Sequence, residues 1–160
     1  MKKSSKIYVK AGEVEVGENP GVLTTLGLGS CVAVTLYDRI NKLGGMIHYI
    51  LPENPGDHKD TKYADTGIKF LVDKLINRGA NKKKLKAKMI GGAVMFGELI
   101  ENTEDSIGNR NISKGKEVLN NMDIEISGED LGGNYGRSVE FNLEDGSVII
   151  KSYSTEDKVI

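Results

Sequence analysis

Two apolar runs, Val32-Ala33-Val34-Thr35-Leu36-Tyr37 and Leu43 to Leu51, flank the polar connection Asp38-Arg39-Ile40-Asn41-Lys42. β-Branched and aromatic residues on either side of such a connection read as a hairpin, and Pro52 stops the second strand because it has no N–H for the ladder. With the turn centred on residues 39 to 41, Cys31 falls roughly opposite His48 and Tyr49, where facing Cβ atoms stand about 5 Å apart. The one cysteine of the chain and one of its two histidines are therefore brought together by local topology.

Cys31 ends the stretch Thr24-Thr25-Leu26-Gly27-Leu28-Gly29-Ser30-Cys31. Gly27 and Gly29 let the backbone bend or approach another segment closely, which sets the following side chain on a corner at a loop-to-strand junction. A thiol there, with an imidazole beside it to take its proton, is a candidate nucleophile. The competing structural reading is a small buried hydrophobe at Cys31 and a core histidine among Met46, Ile47 and Ile50.

Short strands are also expected over Ile7–Lys10, Glu13–Val16, Val22–Thr25, Lys86–Ile90, Ile124–Ser127, Ser138–Leu143 and Ser147–Tyr153, the last two joined by the turn Glu144-Asp145-Gly146. The stripe Ala64, Ile68, Leu71, Val72, Leu75 and Ile76 predicts a helix over Lys62–Arg78, capped by Asp60 or Thr61 and stopped by Gly79. A second helix is expected from between Gly108 and Asn111 to about Asn121, buried through Ile112, Val118, Leu119 and Met122. Gly115 weakens it by about 1 kcal/mol relative to alanine. Glu98, Glu101, Glu104 and Asp105 read as a solvated acidic loop, and His58 as a solvated loop residue. This inventory predicts an α+β sandwich, a largely antiparallel double sheet with helices on one side.

A chain of 160 residues fits one domain over 1–160. Its 22 basic and 23 acidic residues nearly cancel, so no global field recruits nucleic acid or an anionic membrane. The absence of tryptophan removes the best stacking platform for single strands. One cysteine makes no internal disulfide, and no secretory signal or membrane-spanning apolar run is evident, so a cytoplasmic protein without direct membrane insertion is expected. Gly27-x-Gly29 lacks the third glycine of a dinucleotide fingerprint and opens a strand instead of a helix. No Walker lysine and no clustered His/Cys spacing are present, so neither a cofactor nor a metal is expected.

Several motifs in order resemble one family: Thr25-Leu26-Gly27-Leu28-Gly29-Ser30-Cys31-Val32-Ala33-Val34, His48 with Leu51-Pro52, Lys62-Tyr63-Ala64-Asp65, Gly91-Gly92-Ala93 with Met95-Phe96, Ile107-Gly108-x-Arg110-Asn111, and Asp130-x-Gly132-Gly133-x-x-x-Arg137-Ser138. Over roughly Val14 to Val148 the chain resembles the chemoreceptor glutamine deamidases of the CheD family. The resemblance implies a three-layer α/β/β fold similar to the deamidating domain of cytotoxic necrotizing factor toxins. It further implies a catalytic trio at Cys31, His48 and Thr25, receptor glutamines of methyl-accepting chemotaxis proteins as substrates, and binding by the CheC phosphatase.

In that scheme Thr25 orients His48 by accepting its second ring N–H, through either its hydroxyl or its carbonyl. Backbone N–H groups of Cys31 and of the Gly29-Ser30 bend are candidate oxyanion donors, and Ser30 a candidate supporting residue. A non-catalytic regulator of CheC and a receptor glutamate methylesterase are the alternative readings. The chain departs from the family in an acidic loop around Gly97 to Ser106 and a short tail after Tyr153.

Overall fold

The computed structural model describes residues 5–56, 59–95 and 105–160. His58, Phe96, Glu98, Glu101 and Glu104, about which the sequence raised expectations, lie outside them. In chain order the elements are β1 (Ser5–Tyr8), β2 (Val14–Glu18), β3 (Gly21–Leu28), β4 (Val32–Asp38), β5 (Leu43–Tyr49), α1 (Ala64–Asn77), β6 (Lys86–Gly91), α2 (Ile107–Asn121), β7 (Glu125–Leu131), β8 (Arg137–Asn142), β9 (Val148–Lys151) and β10 (Lys158–Val159), with a 3-10 turn at Lys82–Lys84.

The strands form two sheets, β2-β5-β4-β6-β7 and β1-β3-β8-β9-β10. Only the β1–β3 and β6–β7 pairings are parallel among the described strands. Both helices pack on the first sheet, and the second sheet covers its other face, giving the expected mixed α+β sandwich in three layers. The first sheet is therefore the middle layer, and every residue of β4 and β5 is buried. Such strands read as continuous apolar runs because neither face meets water.

Alternate side chains serve different cores. Val32, Val34, Leu36, Ile47 and Tyr49 join the helices, whereas Ala33, Tyr37 and Met46 face Leu23, Val139 and Phe141 of the outer sheet. His48 lies next in the alternation after Met46, on the face between the sheets.

The start of α1 corrects one expectation. Its N-cap is Tyr63, without a side-chain cap bond. Asp60 accepts from the Lys62 N–H, and Thr61 donates to the Gly12 carbonyl. The N–H groups of Ala64 and Asp65 instead donate to the Leu51 and Pro52 carbonyls, so the helix is seated on the segment that leaves β5. A tertiary backbone contact has replaced the local cap. Ile76, assigned to the buried stripe, is 40% exposed. In α2, Ser106 caps the Asn109 N–H, placing the start at Ile107. Its fully buried residues are Gly108, Asn111, Gly115 and Leu119, while Ile112, Val118 and Met122 are only partly buried.

Gly115 has a packing reason. An ideal Cβ built there would land on Tyr49 Oη, which is fixed by donating to the Asn111 carbonyl at 2.7 Å. Gly115→Ala should therefore destabilise the protein by about 1–3 kcal/mol despite alanine's better helix propensity, because overpacking outweighs that gain. Denaturant melts measure this directly, and a more stable variant would show that the helix has room to shift.

Candidate active site

Thr25 and His48 meet across the gap between the sheets. Thr25 lies on β3 of the outer sheet and His48 on β5 of the middle sheet, both almost wholly buried. The Thr25 hydroxyl donates to the Val9 carbonyl at 2.6 Å. A hydroxyl has one hydrogen to give, so in its 2.7 Å contact with His48 Nδ1 the Thr25 Oγ1 is the acceptor. Nδ1 therefore carries the ring proton, and Nε2 presents a bare lone pair. The Thr25 hydroxyl makes the contact that sequence left open between hydroxyl and carbonyl.

Among the described residues, Nε2 of His48 is buried without a hydrogen-bond partner. Burial pulls the imidazole down to about 4, so the ring is neutral at physiological pH. An unpaired base held neutral in this way is ready to receive a proton.

Cys31 sits between β3 and β4, half-buried against the cluster between the sheets. The hairpin register pairs Ala33 with His48 and Val32 with Tyr49, so its extension sets Cys31 opposite Ile50. The expected facing of Cys31 with His48 or Tyr49 is thus shifted by one to two residues. Cys31 nevertheless packs against the cluster between the sheets, the face that carries His48, and the extended register makes the two diagonal neighbours. Ala33, directly opposite His48, leaves the ring room. Burial pushes the thiol up, partly offset by a hydrogen bond from its own backbone N–H. Thiol and imidazole are then both neutral at rest.

Gly27 and Gly29 divide between them the two roles expected from sequence. Gly27 adopts a positive φ of 69°, within the register break between Thr25 and Leu28 on β3. Gly29 is instead a close approach, packed under the Met95 side chain. Gly91, at φ 113°, has no room for a Cβ because the Cys31 carbonyl occupies that space. The next N–H groups close the contact: Gly92 donates to the Cys31 carbonyl and Ala93 to the Gly29 carbonyl, each at 2.9 Å. The Gly91-Gly92-Ala93 motif is thus a clasp on the cysteine loop.

Asn111 is the residue that sequence reasoning left without a role. It is fully buried, and its Nδ2 donates to the carbonyls of Ser30 and Ile50, each at 2.9 Å. Nothing in its local pattern distinguishes it from a solvent-facing helix asparagine; burial among Gly108, Gly115 and Leu119 does. Ser30 enters the site through that carbonyl. Among the described residues, no group of three His, Cys, Asp or Glu side chains is placed to hold a metal ion, and no helix is long and apolar enough to cross a membrane.

Residues 50–152 match the protein family described as CheD chemotactic sensory transduction. Full-length comparisons extend further. The probable chemoreceptor glutamine deamidase CheD of Caldanaerobacter subterraneus subsp. tengcongensis is 43% identical over 152 residues, spanning 93% of this chain and 94% of its own. Chemoreceptor glutamine deamidase CheD of Thermotoga maritima is 45% identical over 147 residues, 91% of each chain. The probable chemoreceptor glutamine deamidase CheD 1 of Methanosarcina acetivorans is 43% identical over 157 residues, 96% of each chain. Spans of this length take in residues 25–48, which lie ahead of the family match. A looser likeness in three dimensions, TM-score 0.46 at 15% identity, is to the Bacillus licheniformis hypothetical protein YfiH and covers 76% of this chain and 49% of that one. By identity and coverage, the chain belongs to the CheD family.

Proposed function

We propose that this protein is a single-domain deamidase that hydrolyses glutamine side chains of methyl-accepting chemotaxis receptors to glutamate, with Cys31 as nucleophile, His48 as base and Thr25 as its orienting partner. The observation that carries this reading is the bare Nε2 of His48 on the sheet face of Cys31, its tautomer fixed by the Thr25 hydroxyl. The printed names of the relatives supply the substrate class.

The chemistry follows from the protonation states. As the sulfur of Cys31 adds to the carboxamide carbon, Nε2 takes the thiol proton, because a neutral thiol is a poor nucleophile. The carbonyl oxygen becomes an oxyanion, for which the Cys31 N–H and a second N–H from the Gly29-Ser30 bend are the proposed donors. The imidazolium then protonates the amide nitrogen, the C–N bond breaks, and ammonia leaves a thioester. Water, deprotonated by the same nitrogen, attacks the thioester, giving glutamate and restoring the thiol. Throughout, Thr25 stabilises the transient imidazolium by accepting the hydrogen bond from its Nδ1–H.

The same reading places the protein in the cytoplasm, with CheC as a binding partner and the deamidating toxin domains as relatives in fold. A glutamyl methyl ester would pass through the same thioester, so methanol release is the signature of the competing esterase.

Three outcomes test the proposal. Incubation with a purified cytoplasmic fragment of a chemotaxis receptor should release ammonia, and Cys31→Ala should abolish it. Ammonia release that survives in the variant would remove the cysteine from the mechanism. Thr25→Val should lower kcat by about 10²-fold, the scale of positioned acid–base catalysis, whereas unchanged turnover would eliminate the hydroxyl. Finally, because the base works only when neutral, a depressed imidazole extends activity downward in pH. kcat/KM should lack a titration near 6.5 and fall only toward about 4, the value that burial gives His48. Loss of half the activity near pH 6.5, with the protein still folded by circular dichroism, would contradict this.

A further inference from the structure

The β4–β5 ladder stops at the pair Val32 and Tyr49, one residue short of the cysteine. Beyond it no ladder bond joins the two strand ends to each other, although Gly92 holds the Cys31 carbonyl and the Ile50 N–H donates to the Lys62 carbonyl. Asn111 fills the gap from the helical layer. Its amide bridges the carbonyl of Ser30, just before Cys31, and that of Ile50, two residues after His48. Both partners are carbonyls, so only the NH2 group can serve them, and the orientation of the amide is fixed by chemistry. A third bond, from Tyr49 Oη to the Asn111 carbonyl at 2.7 Å, ties the same residue to the last residue of β5.

The Ser30 carbonyl and the Cys31 N–H belong to one planar peptide unit and point in opposite directions. A donor that holds the carbonyl therefore also sets where the N–H points. We propose that Asn111 is a positioning residue for the reaction: by holding the Ser30 carbonyl from inside the protein, it aims the Cys31 N–H outward at the oxyanion. This rests on the deamidase reading above.

The role separates from mere stability by chemistry. Deamidation passes through an oxyanion, whereas alkylation of Cys31 by iodoacetamide is a displacement at saturated carbon and forms none. Asn111→Ala and the isosteric Asn111→Asp, which replaces the NH2 donor by an acceptor, should each lower kcat for ammonia release by about 10²- to 10³-fold, the loss seen when one oxyanion donor is removed. KM should stay within about twofold, and the rate and pH profile of Cys31 alkylation should match the wild type.

Near-wild-type kcat in a folded variant would overturn the inference. So would a parallel loss of alkylation and turnover, or failure of both variants to fold, since either makes Asn111 a structural residue only. A wild-type protein that releases no ammonia from the receptor fragment would instead overturn the deamidase reading, and this role with it; the two failures are thereby told apart.

Discussion

One hydroxyl joins the two sheets at the site. Thr25 donates its hydroxyl hydrogen to the Val9 carbonyl and accepts a hydrogen bond from Nδ1–H of His48, and from those two bonds the state of the ring follows. Both groups are buried, where a polar atom left unpaired costs about 1–3 kcal/mol. The pair is satisfied on the Nδ1 side and left unsatisfied at Nε2. An orphaned acceptor of this kind calls for an explanation, and the proposed role of His48 as the base supplies one.

The spacing of that bond depends on the apolar layer around it. Leu23, Met46, Val139 and Phe141 pack between the sheets and set the distance across which Thr25 reaches His48. On the far side of the middle sheet, the helices press on Val32, Val34, Ile47 and Tyr49. The strands that carry the site are thus clamped from both faces, and the proposed catalytic trio inherits the rigidity of two cores. The cysteine lies where the clamp ends, half-exposed, in a segment held by the Gly92 and Ala93 N–H groups and by the side-chain amide of Asn111. The edge leaves the thiol partly open to solvent, while the imidazole stays buried.

Much of this was legible because it is local. The hairpin from Val32 to Leu51 follows from two apolar runs and a polar connection, and it alone brings Cys31 near His48. The register was off by one to two residues because turn length is a weak constraint on which residues face each other. Thr25 was reached through family resemblance, since its bond spans two sheets and leaves no trace in spacing. The α1 cap was misread for a related reason: carbonyls of Leu51 and Pro52, distant in pattern though near in space, took over from Asp60 and Thr61. Asn111 and Gly115 escaped the sequence because their neighbours, Ser30, Ile50 and Tyr49, come from other layers. Helix periodicity reports which face is apolar, and it says nothing of a buried amide bridging two strand ends.

The tautomer of His48 is the point at which fold becomes chemistry, and nitrogen NMR of the labelled imidazole reads it directly. The account predicts a protonated Nδ1 and a bare Nε2 that stay unchanged from neutral pH down through the ordinary imidazole range, with Thr25→Val disturbing that assignment. A proton found on Nε2, or a ring that titrates like a free histidine, would contradict it.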